Sequence, residues 1–224
     1  MTTGGAVGIL GGTFDPIHLA HLRLAQEAAD TLGLAQVRLV PSATPPHRPA
    51  PMAGAEHRLA MVRLAIADNR QLVADDRELR RDAPSYTVDT LGSLRAEFGP
   101  ERPLCLIVGA DAFVLIETWS RWTTLFELAH VAVAHRPGHP PERWADHMGD
   151  ALAGELERRR TDDPDRIANA PAGCVFPLPI TQMDISARRI RALLAGSASA
   201  RYLLPRIVLD YIEIQRLYRE TNAS

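Results

Sequence analysis

The chain has 224 residues, 46% of them hydrophobic and 23% charged, a composition that supports a globular protein with a full core. Its 25 basic and 27 acidic side chains give a net charge of −2, so no overall basic field draws it to nucleic acid or an anionic membrane. The basic residues are all arginine; without lysine, a Walker-A loop and Schiff-base or lysyl-nucleophile chemistry are excluded.

No apolar run approaches the ~20 residues of a membrane-spanning helix, and the first residues lack the charged head of a signal peptide. The cytoplasm is therefore the expected compartment. Cys105 and Cys174 lie in apolar runs and read as buried small hydrophobes rather than a disulfide or a metal pair. The motifs G-x-G-x-x-G, G-x-S-x-G, H-E-x-x-H and C-x-x-C do not occur, which leaves the usual dinucleotide, serine-hydrolase, zincin and thiol-redox readings without local support.

In chain order, residues 7–10 (VGIL) are a short apolar run expected as a buried strand, ending on Gly11-Gly12, where the backbone can turn and another group can approach. After Thr13-Phe14-Asp15-Pro16 come His18 and His21, three apart, at the start of the helical pattern Leu22, Ala25, Ala28, Ala29, Leu32. Strand, glycine turn and a helix start with two imidazole donors form an anion site, because free N–H groups and the helix dipole both favour phosphate. A zinc site at His18 and His21 lacks nearby third and fourth ligands.

Residues 37–40 predict a second strand, followed over residues 40–51 by a proline-rich loop that cannot pair as a central strand. Arg48 in that loop could fork onto a phosphate, or could simply be solvated. Residues 56–69 predict a packing helix, and residues 72–81 a short extended stretch. Ser85-Tyr86-Thr87 opens a helix to about residue 98, with Ser85 or Thr87 as its N-cap.

Residues 104–108 (LCLIV) predict a parallel-sheet strand running into Gly109-Ala110-Asp111, where Asp111 could hold a ribose hydroxyl or cap a helix. Trp119 and Trp122 could stack on a heteroaromatic ring or pack in the core. Residues 131–134 predict another strand with Arg136 at its exit, where the ligand crevice of an open α/β sheet lies. Within the polar, charged stretch 140–169, the run Glu155 to Arg160 reads as a solvated helical face, and residues 175–180 as an edge strand because of Pro177 and Pro179. Ser186 is set to cap a helix ending near Gly196, whose first two turns carry Arg188, Arg189 and Arg191; the dipole disfavours cations there unless an anion is bound. Pro205 starts a final amphipathic helix.

Alternating strands and helices predict an α/β fold, a Rossmann-like doubly wound and mainly parallel sheet with helices on both faces. With no linker and no repeats, residues 1–224 read as one domain.

Five ordered stretches resemble one family. GGTFDPIH-x-x-H is similar to the signature of bacterial nicotinate-nucleotide adenylyltransferases, within the nucleotidylyltransferase superfamily and its H-x-G-H motif; Ala20 stands where that motif has glycine. A basic residue after Pro-Pro-His matches Arg48, PSYTVDTL matches the family's nicotinate-side helix start, and the G-x-D-to-tryptophan spacing matches Gly109, Asp111 and Trp119. The second nucleotide motif, I-S-x-T-x-x-R, matches at Ile185, Ser186 and Arg191 but has Arg188 in place of threonine.

The resemblance implies adenylyl transfer from ATP to nicotinate mononucleotide, giving the dinucleotide and pyrophosphate without a covalent enzyme intermediate. It implies catalytic His18 and His21, and an ATP site made of these with Gly11, Gly12, Thr13, Phe14, Gly109, Asp111, Ile185, Ser186, Arg188 and Arg191. Arg48, Tyr86, Thr87 and Trp119 would serve the mononucleotide, joined by Arg136 from its position. Mg²⁺ would arrive with ATP on the phosphates, and residues 183–220 would close the ATP site. The alternatives are a nicotinamide mononucleotide or phosphopantetheine acceptor, or a nucleotide-binding regulator without turnover; whether copies of the chain associate is left open.

Overall fold

The computed structural model describes residues 4–43, 50–81, 84–135, 141–196 and 198–219. In chain order they form β1 (Val7–Gly12), α1 (Leu19–Thr31), β2 (Gln36–Pro41), α2 (Ala55–Ala65), β3 (Leu72–Ala74), α3 (Thr87–Phe98), β4 (Leu104–Gly109), α4 (Ala110–Phe113) and α5 (Trp122–Leu128). There follow β5 (His130–His135), α6 (Asp150–Arg159), α7 (Asp165–Asn169), β6 (Val175–Pro179), α8 (Ala187–Ala195) and α9 (Arg206–Ile214).

The strands make one parallel sheet in the order β3-β2-β1-β4-β5-β6. Side chains alternate across a strand, so the apolar runs supply two cores. Leu10, Leu39, Ile107 and Phe176 face one side, where α1, α2, α8 and α9 bring Ala25, Met61, Ile190 and Leu209. Ile9, Val40, Leu106 and Val133 face the other, covered by Leu91, Phe113, Phe126 and Leu152 from α3, α4, α5 and α6. Full burial of each aliphatic side chain contributes ~1.5–3 kcal/mol, which is why these runs specify the sheet more strongly than local propensity does.

The chain winds outward from β1 to β3 in one direction, then returns to β4 and winds the other way. The switch therefore lies between β1 and β4, whose pairing runs from Val7 opposite Leu104 to Leu10 opposite Ile107. β6 is an edge strand, as its two prolines predict.

Several boundaries differ from the sequence reading. β1 runs on through Gly11 and Gly12, because both keep their register with Val40 and Pro41. α2 stops at Ala65, well short of residue 69. β3 is only three residues long, and Asp75 beyond it turns to accept from Arg38 and Arg77. The N-cap of α3 is Tyr86 rather than Ser85 or Thr87; the Ser85 hydroxyl instead accepts from the Ala43 N–H at 3.1 Å. Both cysteines are buried and free, and burial pushes the Cys105 thiol up to about 12. No helix among the described residues is long and apolar enough to cross a membrane.

Candidate active site

The carboxyl edge of β1 and β4 is open where a ligand would lie. A Cβ built on Gly11 or Gly109 would meet nothing within 4 Å, although the strands behind them are packed. At Gly12 the reason for glycine is different: a Cβ there would stand 3.0 Å from the Phe14 ring. Phe14 is buried with φ 47°, a left-handed conformation that costs a bulky residue ~1–3 kcal/mol and persists only where packing fixes it. Its ring meets His21 edge-on, with centroids 5.1 Å apart. The buried Phe14 ring thus packs against an imidazole of the motif.

His18 is the N-cap of α1 and His21 stands at its third position. This places the rings face to face, with centroids 3.7 Å apart and planes 18° from parallel. The His18 backbone N–H donates to His21 Nδ1 at 3.4 Å, which puts the proton of a neutral His21 on Nε2. His18 Nδ1 is buried and has no hydrogen-bond partner among the described residues. Burial lowers the His18 pKa to about 4. Burial, then the neighbouring His18, lowers His21 well below its ordinary value. The two stacked imidazoles, His18 buried and His21 partly buried, are therefore both neutral at pH 7, at the positive end of a helix.

Ser186 caps α8 as its sequence predicts, its hydroxyl accepting from the Arg189 N–H at 3.3 Å. Arg188 and Arg189 are exposed, while Arg191 turns inward and donates through Nη1 to the Asp15 carbonyl at 2.6 Å. Ile185 is partly buried against the α1-side core.

On the opposite face, Tyr86 and Trp119 pack against the same core cluster, with Thr87 opening α3. An Arg121–Asp89 ion pair at 2.5 Å joins the first turn of α3 to the segment carrying Trp119 and Trp122. Asp111 does not cap α4, whose N-cap is Gly109; it is exposed in the first turn. Arg48 and Arg136 lie outside the described residues. The fold thus gathers the phosphate-side candidates on β1, α1 and α8, and the ring-side candidates at α3 and Trp119.

Three polar residues in this region escaped the sequence reading. Asp15, 4% exposed, accepts from the N–H groups of Met52 and Ala53 at 2.8 and 3.0 Å and from the Tyr218 hydroxyl at 2.7 Å. Arg58, 1% exposed, donates to the carbonyls of Thr13, Ala53 and Ala43 at 2.8, 3.2 and 3.4 Å. A signal for Arg58 exists: it is a charged residue on the α2 face that carries Met61 and Val62 at i+3 and i+4. Tyr218 gives no such sign, since its partner is 203 positions away.

Residues 9–193 match the model of the family described as cytidylyltransferase-like. A Dechloromonas aromatica (strain RCB) protein named "Probable nicotinate-nucleotide adenylyltransferase" is 51% identical, over 96% of this chain and 98% of its own length. An Acidithiobacillus ferrooxidans protein of the same name is 46% identical over 94% of each chain. Among solved structures, a Plasmodium falciparum nicotinic acid mononucleotide adenylyltransferase complexed with APC superposes with a TM-score of 0.69 at 16% identity, covering 96% of this chain and 97% of that one, which supports the fold. With near-complete coverage at about half identity, this chain belongs to the nicotinate-nucleotide adenylyltransferases, within the cytidylyltransferase-like family.

Proposed function

We infer that the chain transfers the adenylyl group of ATP to nicotinate mononucleotide, releasing pyrophosphate. The observation that carries this reading is the stacked, neutral His18–His21 pair at the start of α1, beside the open glycines of β1 and β4. The acceptor's 5′-phosphate attacks the α-phosphorus in line as the bond to pyrophosphate breaks. Holding two anions in that alignment supplies ~7–11 kcal/mol, and a donor aimed at the developing charge ~3 kcal/mol more.

In this reading His18 and His21 stand against the triphosphate and its transition state, with the backbone of Gly11, Gly12, Thr13 and Phe14 beneath it. Ser186, Ile185 and Arg191 hold the β,γ-phosphates and the leaving pyrophosphate, and residues 183–220 close this side. Arg188, exposed in α8, reaches the triphosphate from solvent. Gly109 and Asp111 lie at the adenosine, Arg48 and Arg136 at the acceptor phosphate, and Tyr86, Thr87 and Trp119 around the pyridine ring. Among the described residues no group of three or more His, Cys, Asp or Glu is placed to hold a metal ion. In this reading Mg²⁺ arrives with ATP and is held mainly by its phosphate oxygens, where it would neutralise charge.

The α3 start favours the acid over the amide, because helix-start N–H groups attract a carboxylate. The test is pyrophosphate release with ATP and Mg²⁺, comparing nicotinate mononucleotide with its amide at equal concentration. Preference for the acid is expected. Equal use would remove the carboxylate-reading argument, and no release with either would overturn the reaction.

A further inference from the structure

The phosphate-side motif is not held by its own elements alone. Asp15 follows the left-handed Phe14 and sits under the start of α1, yet the donors on its carboxylate come from elsewhere: Met52 and Ala53 ahead of α2, and Tyr218 after α9. Arg191 of α8 completes the set. Its Nη1 donates to the Asp15 carbonyl at 2.6 Å and lies 3.7 Å from the Asp15 carboxylate. One guanidinium nitrogen is thereby fixed on Asp15, and the other donors of its planar fork are oriented as a unit.

We propose that Asp15, anchored by the Tyr218 hydroxyl, positions Arg191 for the triphosphate, so that the C-terminal end of the chain sets the geometry of the ATP site. The proposal rests on the reading of Arg191 as a phosphate-binding residue. Tyr218 is suited to this role in two ways. Its ring is buried, and its phenol is kept protonated, above the ordinary tyrosine range, by burial and the adjacent carboxylate, so it remains a donor. Without that donor, the Asp15 carboxylate keeps only the Met52 and Ala53 N–H groups and is held less firmly beside Arg191. The fork then loosens with it, because a support acting through one side chain orients the next. Tyr218 and Asp15 are positioning residues in this account: neither reaches the reacting atoms.

The experiment uses the full chain and Tyr218→Phe, which removes only the hydroxyl and keeps the ring. Binding of a non-hydrolysable ATP analogue with Mg²⁺ is measured by calorimetry, alongside the KM of each substrate. The expected result is binding of the analogue weakened about five- to tenfold, and a KM for ATP raised to match. The KM for the mononucleotide should stay within about twofold. In an Arg191→Ala background the same change should have no further effect on analogue binding. Equal effects on both substrates, or a Tyr218→Phe effect that persists without Arg191, would overturn the proposal and leave Tyr218 a packing residue. If the wild-type chain binds the analogue but releases no pyrophosphate, the functional reading fails while the cycle still decides the positioning role.

Discussion

A neutral imidazole gives a phosphate one N–H donor; an imidazolium gives it a charge as well. Burial holds His18 at about 4 in the free protein and keeps His21 low too, so neither is protonated at pH 7. A bound triphosphate acts in the opposite direction, since a nearby anion favours the charged ring. Linkage then fixes the sign: binding takes up protons between the free pKa of about 4 and the higher bound value, and tightens as pH falls through that window. Calorimetry of ATP-analogue binding at pH 6 in buffers of different ionisation enthalpy should show more proton uptake by the wild type than by His18→Ala. Identical uptake would mean that His18 never meets the phosphate charge.

At the scale of elements, the imidazoles are aimed by a strand, a turn and a helix acting together. Gly12 leaves room for the Phe14 ring, Phe14 meets His21 edge-on, and His21 stacks on His18. Gly12→Ala therefore tests the turn without touching a histidine. The new methyl forces Phe14 aside, and the expected cost is ~1–3 kcal/mol of stability. The turnover rate should fall ~10- to 100-fold, because a misplacement near 1 Å is enough to spoil an in-line geometry. Urea unfolding and steady-state kinetics check the two figures; full activity in the folded variant would show that the rings are aimed by α1 alone. Much of this element was legible beforehand. The apolar run and the histidines three apart determine strand and helix start through local periodicity and capping, whereas Gly11 and Gly12, expected to turn, stay in β1. The stacking of the rings was not legible, because it depends on the left-handed Phe14 and its packing. The same limit applies at α3, where Ser85 looks like a cap but is drawn away by the Ala43 N–H.

At the scale of the molecule, the two-sided burial of the strands and their alternation with helices were readable as a doubly wound sheet. Period-two patterning and buried area dominate its energetics. The buried polar hub was not readable. Asp15, Arg58 and Tyr218 are joined only by the tertiary fold, and a single sequence does not show which charged residue faces inward. That hub connects the first strand's motif to the last residues of the chain, so the site is a property of the whole fold rather than of its leading motif. The central claim is that this assembly aligns and stabilises but never bonds to the adenylyl group. Neutral stacked imidazoles make the claim worth testing, since an unprotonated ring nitrogen is also a nucleophile. The direct measurement is the stereochemistry at the α-phosphorus, using ATP made chiral there with sulfur and the wild-type chain with nicotinate mononucleotide. One in-line displacement predicts inversion in the dinucleotide product; retention would reveal two displacements through an enzyme-bound nucleotide and contradict the account.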